Sequence, residues 1–159
     1  MGIFSKFKRN KQYDDNSIVA ISDAKVVPVS EINDPVFSKE MLGQTIAFEL
    51  KDDIIVSPCN GILEVMFPTG HMFAVRRNDG IGIIVHVGIN TVDLKGKGFT
   101  TYAKQGDKVV AGQKILKIDN KFIKNSGYDL TTMLIVTDAK EKLQFTCNDF
   151  VEKGQIINI

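Results

Sequence analysis

From Ile18 onward, short runs rich in Val, Ile, Thr and Phe recur between turn signals, the pattern of strands half-buried in a sheet. The runs predict strands near Ser17–Ile21, Lys25–Val29, Thr45–Leu50, Ile54–Ser57 and Gly61–Phe67. Further strands are expected at Met72–Arg76, Ile81–Val87, Lys108–Val110, Ile115–Ile118, Thr131–Val136, Leu143–Thr146 and Gln155–Ile157. Breakers stand between them: Pro58-Cys59-Asn60-Gly61, Pro68-Thr69-Gly70, Asn78-Asp79-Gly80 and Gly96-Lys97-Gly98. Helical periodicity is confined to Ser38–Leu42, with Ser38 as a plausible N-cap, and Asn120–Asn125. Many short strands joined by tight turns predict an all-β fold: one antiparallel, barrel-like β-sandwich domain with one or two short helical turns. A weak internal echo fits such a sandwich. Gly106-Asp107-Lys108-Val109-Val110-Ala111-Gly112-Gln113 is similar to Asn148-Asp149-Phe150-Val151-Glu152-Lys153-Gly154-Gln155, each placing a Gly-Gln pair where a hairpin ends.

Composition narrows the class. At 159 residues the chain is long enough for one domain with a real core. Its 20 Lys plus Arg against 19 Asp plus Glu lack the basic excess that phosphate backbones reward, so nucleic acid is not an expected partner. No apolar run approaches the roughly 18 residues that span a bilayer, and the mixed start carries no signal-peptide core. Two cysteines, Cys59 and Cys147, are too few for a disulfide scaffold and fit a reduced, cytoplasmic protein. Neither has the basic or helix-start surroundings of a reactive thiol, so both read as structural.

Charge is unevenly spread. Lys6, Lys8, Arg9 and Lys11 give residues 1–11 a basic character, and Ile3, Phe4 and Phe7 would share one side if the stretch were helical, while the remaining chain is mildly acidic. Such a stretch suits either weak contact with an anionic membrane surface or a disordered, solubilising start. Gln12–Ser17 reads as a polar linker. The expected organisation is therefore a tail over residues 1–16 and a domain over residues 17–159.

The chain has only two histidines, and both fall in one hairpin. If Asn78-Asp79 forms a two-residue turn with Arg77 paired to Gly80, His71 falls directly opposite His86, on one face, with Cβ atoms about 5 Å apart. A three-residue loop over Asn78–Gly80 instead shifts the register by one and sends the rings to opposite faces, unless a bulge corrects it. Facing imidazoles allow one to act as nucleophile while the other orients it or stabilises charge on the transferred group. Phosphoryl transfer suits such a pair, because it depends on positioning and electrostatics. Thr69 would point to the same side and offer a hydroxyl. The same pair is also half of a zinc site, which a partner's carboxylate or water would have to complete. Packed or surface histidines remain the ordinary alternative.

At these residues a family becomes visible. Gly80-x-x-Ile83-Ile84-Val85-His86-Val87-Gly88-Ile89-x-Thr91-Val92 resembles the signature of the glucose-family IIA component of the bacterial phosphoenolpyruvate-dependent sugar phosphotransferase system. Phe67-x-Thr69-x-His71-x-Phe73 resembles that family's second histidine segment. Ser57-Pro58-Cys59-Asn60-Gly61, Leu94-x-Gly96-x-Gly98-Phe99, and Asp34-Pro35-Val36-Phe37 followed by Met41-Leu42-Gly43 are further matches, over roughly residues 17–159.

The resemblance implies a cytosolic phosphocarrier, a transferase working through phosphohistidine without a required cofactor. By position, His86 would accept the phosphoryl group from the system's histidine phosphocarrier protein and pass it to a cysteine of a sugar-specific IIB domain. His71 would stabilise the group and the transition state, Thr69 would complete a hydrogen-bond relay, and the Gly88 carbonyl would fix the His86 tautomer. Asp34, Val36, Phe37, Phe67, Ile84, Asn90 and Val92 would form a mostly apolar docking rim. Asn90 stands where many members carry Asp, Lys97 replaces an acidic or neutral residue, and Met72 replaces a common Ala. These departures bear on partner choice rather than on chemistry. The second reading is a regulatory module whose phosphorylation state governs binding to target proteins, with no dedicated permease.

Overall fold

The computed structural model describes residues 12–159; the reading of residues 1–11 as a basic, membrane-contacting stretch lies outside the described residues. The strands are β1 (Ala24–Val27), β2 (Gln44–Leu50), β3 (Ile54–Val56), β4 (Gly61–Met66), β5 (Met72–Arg77) and β6 (Gly82–Val87). They continue as β7 (Phe99–Thr101), β8 (Lys108–Val109), β9 (Lys114–Ile118), β10 (Thr132–Thr137) and β11 (Phe150–Val151), with helices α1 (Pro35–Ser38) and α2 (Asn120–Asn125). Eight strands form one sheet in the order β11-β1-β2-β10-β6-β5-β4-β8, and β3-β9-β7 form a second. All pairings are antiparallel. The expected all-β, sandwich-like architecture is what the chain adopts.

Strand alternation distributes the core to two faces of the large sheet. Phe48, Phe73, Val75, Ile83, Val85, Val87, Leu134 and Val136 join the main core, together with Ile115, Leu116 and Ile118 of β9. Such side chains contribute about 1.5–3 kcal/mol each when fully buried. The opposite face carries a smaller cluster of Ile32, Phe37, Ala47, Ile89, Met133 and Ile135, with Ile84 packed against it. His86, two residues from Ile84 on β6, opens onto this second face and pairs across the ladder with Met133 of β10.

Several elements differ from expectation for identifiable reasons. Ser17–Ile21 is buried but forms no ladder, because its main-chain bonds go to separate segments: Val19 N–H donates to Pro58 O and Ala20 N–H to Gln155 O. It keeps a single bridge, Val19 to Ile156, so the expected Gln155–Ile157 strand is reduced to that bridge as well. Leu143–Thr146 likewise keeps only the Phe145–Asn158 bridge. The first helix starts earlier than expected. Asp34, not Ser38, is its N-cap, accepting from Val36 N–H at 2.9 Å, and Pro35 opens the first turn. Residues 13–16, read as a linker, lie against the body: the Tyr13 hydroxyl donates to Gly154 O at 2.7 Å, and Asn60 Nδ2 donates to Tyr13 O. The two echoed stretches do make the same turn. Gln113 Oε1 accepts from Val110 N–H, and Gln155 Oε1 accepts from Glu152 N–H.

Candidate functional site

The β5–β6 hairpin takes the three-residue loop. Arg77 N–H donates to Ile81 O, Gly80 N–H donates to Arg77 O, and Gly80 sits at φ +95°. Asp79 holds this turn by accepting from Ile81 N–H and from both ends of the Arg77 guanidinium, at 2.9 and 2.5 Å. The ladder is therefore shifted by one from the two-residue turn: Met72, not His71, opposes His86. Strand parity would then group His71 with Phe73 and Val75, which face the main core. The rings nevertheless meet, because His71 lies before the first residue of β5, where the chain bends after Gly70 at φ +75°. A bend outside the ladder frees its side chain from strand alternation. The His71 and His86 ring centroids are 5.3 Å apart at an interplanar angle of 85°, an edge-to-face contact.

Each imidazole has its inner nitrogen engaged. His86 Nδ1 is 2.9 Å from Gly88 O. A carbonyl only accepts, so Nδ1 carries the hydrogen and Nε2 keeps its lone pair. Gly88 adopts φ +80°, and a Cβ there would come within 2.5 Å of the Thr91 γ-methyl, so glycine alone fits. His71 Nδ1 is 2.6 Å from the Thr69 hydroxyl. Both rings thus have an inner-nitrogen partner, and the Thr69 hydroxyl is engaged by His71.

The surroundings are largely apolar. Phe37 packs on His86 with centroids 4.9 Å apart, and Phe67 meets His71 edge-on at 5.2 Å. Asp34, Val36, Phe37, His86, Asn90 and Val92 line a recess of about 220 Å³. Val36, Phe67 and Val92 are between 37% and 47% exposed, so the opening presents carbon to solvent. Phe37 is buried beneath His86, and Ile84 is half-buried in the second cluster. Asn90 is exposed and left-handed at φ +59°. Burial pushes the His86 pKa below the ordinary imidazole value, and the Gly88 carbonyl and the Asp34 charge only partly offset it. His71 is lowered by burial first and by the neighbouring His86 second. Both rings are therefore neutral near pH 7.

Other candidates fall elsewhere. Cys59 is buried and its thiol is pushed up to about 12 by desolvation; Cys147 is raised for the same reason. Among the described residues, no group of three or more His, Cys, Asp or Glu could hold a metal ion, so His71 and His86 would need ligands from outside. Among the described residues, no helix is long and apolar enough to cross a membrane. Sequence reasoning gave no role to Thr91, Asp129 or Met133, which pack around the His86 turn. Thr91 stands inside the histidine motif, but Asp129 arrives from a distant loop and leaves no local signal.

A family model for the phosphoenolpyruvate-dependent sugar phosphotransferase system, EIIA 1, matches residues 16–142. The chain belongs to this family. The glucose-specific EIIA component of Buchnera aphidicola subsp. Acyrthosiphon pisum is 33% identical over 140 residues, covering 88% of this chain and 85% of that protein. The glucose permease IIA of Mycoplasma capricolum has a solved structure that superposes with a TM-score of 0.86 at 29% identity, covering 89% of this chain and 93% of that one. Both relatives place the chain with the glucose type of the EIIA family. The glucose-specific EIICBA component of Staphylococcus carnosus is 38% identical over 114 residues, which is 72% of this chain but 17% of that protein. The chain thus spans under a fifth of that larger relative.

Proposed function

We propose that this EIIA chain is a phosphocarrier in sugar uptake and that His86 Nε2 is the atom that carries the phosphoryl group. The observation that carries the reading is the Nδ1–H bond from His86 to the Gly88 carbonyl, which leaves a neutral Nε2 lone pair at the mouth of an apolar recess. In the accepting step that lone pair forms the new N–P bond while the N–P bond to the donor's histidine breaks, and the departing imidazole regains its lone pair. The developing imidazolium on His86 is stabilised through Nδ1–H by Gly88. In the outgoing step a cysteine thiolate of a IIB domain forms an S–P bond as the His86 N–P bond breaks. The name of the Staphylococcus carnosus relative, EIICBA, describes one chain that joins A and B components, which supports a IIB partner for this one.

His71 serves as the charge-stabilising neighbour. With the Thr69 hydroxyl donating to its Nδ1, its Nε2–H is free to donate to a phosphoryl oxygen, and 5.3 Å between ring centroids suits that reach. The exposed carbons of Val36, Phe67 and Val92 dock successive partners and keep water from the labile P–N bond. Asp34, Asn90 and Ile84 complete the rim, and Phe37 fixes the face of His86. The domain that does this spans residues 17–159, on the cytosolic side where Cys59 and Cys147 stay reduced. The four basic residues among 1–11 supply a weak, salt-sensitive attraction to anionic lipid. Incubation with enzyme I, the histidine phosphocarrier protein and phosphoenolpyruvate tests the reading: the protein gains one acid-labile phosphoryl group, and a His86→Ala variant gains none.

A further inference from the structure

We infer that Thr91 is a positioning residue that sets the tautomer of His86 by fixing the backbone around Gly88; the inference rests on the phosphocarrier reading only for its kinetic consequence. Gly88 lies between two peptide planes. The first holds the Val87 carbonyl, and the fully buried Thr91 hydroxyl donates to that carbonyl across a tight turn. The second holds the Gly88 carbonyl and the Ile89 N–H, which point in opposite directions because a trans peptide is planar. Ile89 N–H donates to Asp129 O at 2.8 Å, so the Gly88 carbonyl is turned the other way, onto His86 Nδ1 at 2.9 Å. Asp129 is itself held, its carboxylate accepting from Thr131 N–H at 2.8 Å and from Asn33 Nδ2 at 3.1 Å.

Glycine at φ +80° is the softest residue in the chain's repertoire, and left alone it would let its carbonyl swing. Two clamps remove that freedom, one from a side chain and one from a main chain. Thr91 supplies more than the hydroxyl, since its γ-methyl occupies the space where a Cβ on Gly88 would stand. Loss of the hydroxyl removes the side-chain clamp on the Val87–Gly88 plane and leaves the Ile89 N–H bond to Asp129 as the remaining clamp of the two, so the orientation of the acceptor for Nδ1–H relaxes. The ring then has less reason to keep its hydrogen on Nδ1, and a ring with its hydrogen on Nε2 has no lone pair at that atom to attack phosphorus.

The test uses the full chain in Thr91→Val, Thr91→Ser and Thr91→Cys forms. Nitrogen-15 chemical shifts of the His86 ring in the unphosphorylated protein report the tautomer, and thermal unfolding confirms that each variant is folded. Thr91→Val is expected to raise the Nε2–H fraction and to slow phosphorylation about 10- to 100-fold, the size of loss known for outer partners that orient metal-bound histidines. Thr91→Ser, which keeps the hydroxyl, restores both readouts. Thr91→Cys, a weak donor of similar size, falls between them and serves if the valine variant does not fold. A His86 ring that keeps Nδ1–H in a folded Thr91→Val or Thr91→Cys variant overturns the inference. His86→Ala that still accepts the phosphoryl group would instead overturn the phosphocarrier reading, and it leaves the tautomer result standing.

Discussion

His71 and His86 meet edge to face, with ring centroids 5.3 Å apart, although His71 is not the residue opposite His86 in the ladder. The contact depends on a bend before β5, and it puts two neutral imidazoles with engaged Nδ1 atoms side by side. His86 lines the apolar recess, and His71 stands edge-on beside it.

Removing the second ring separates uptake from release. His71→Ala is expected to accept a phosphoryl group but to pass it on about 10²- to 10³-fold more slowly, the usual consequence of losing one preorganised donor to developing charge. Thr69→Val breaks only the 2.6 Å contact that orients His71, a bond worth about 1 kcal/mol, so its defect is about fivefold to tenfold. Single-turnover transfer to a phosphate-accepting IIB domain measures both, and equal rates for wild type and His71→Ala would remove His71 from the mechanism.

Burial of the two rings makes stability fall in mild acid. Their native pKa values lie below the unfolded value of about 6.5. Above that pH both states are neutral, and the histidines contribute no slope. As pH drops below it, the unfolded chain binds protons that the native rings refuse, so stability declines until the native pKa values are passed. Thermal midpoints recorded from pH 7.5 to 5.5 should fall, and a His71→Gln, His86→Gln double variant should lose most of that dependence. A midpoint that rises toward pH 5.5 in the wild type contradicts the desolvated pair.

Much of the fold follows from local pattern, and what escapes does so for physical reasons. β2, β5 and β6 fall where alternation and flanking turns place them, because each packs one or both faces in apolar surroundings. Ser17–Ile21 has the composition of a strand, yet composition cannot say that its hydrogen-bond partners come from several segments. α1 starts at Asp34-Pro35, an N-cap followed by proline at the first turn, four residues before the expected Ser38. In the hairpin the choice between two- and three-residue loops turned on the Arg77–Asp79 pair and the left-handed Gly80, which only the folded chain reveals. The resemblance identified the histidines without that register. The register explains how they meet, and the Asp129 and Thr91 clamps come from folding alone.

Asp34 plays two parts that one substitution can separate. Its carboxylate caps α1, and its charge raises the His86 pKa against burial. Asparagine caps about as well as aspartate, so Asp34→Asn should leave stability nearly unchanged while the His86 pKa falls further. Asp34→Ala loses the cap too and should cost about 1 kcal/mol. An NMR titration of the ring checks the direction. A His86 pKa that rises in Asp34→Asn contradicts the electrostatic assignment.

The central claim is that His86 carries the phosphoryl group on Nε2 because Nδ1–H is committed to Gly88. Phosphorus-31 and nitrogen-15 NMR of the phosphorylated full chain tests it most directly. The account predicts a single phosphohistidine, with the P–N bond at His86 Nε2 and the hydrogen retained on Nδ1. Phosphorus bonded to His86 Nδ1, or to His71 in its place, would contradict it.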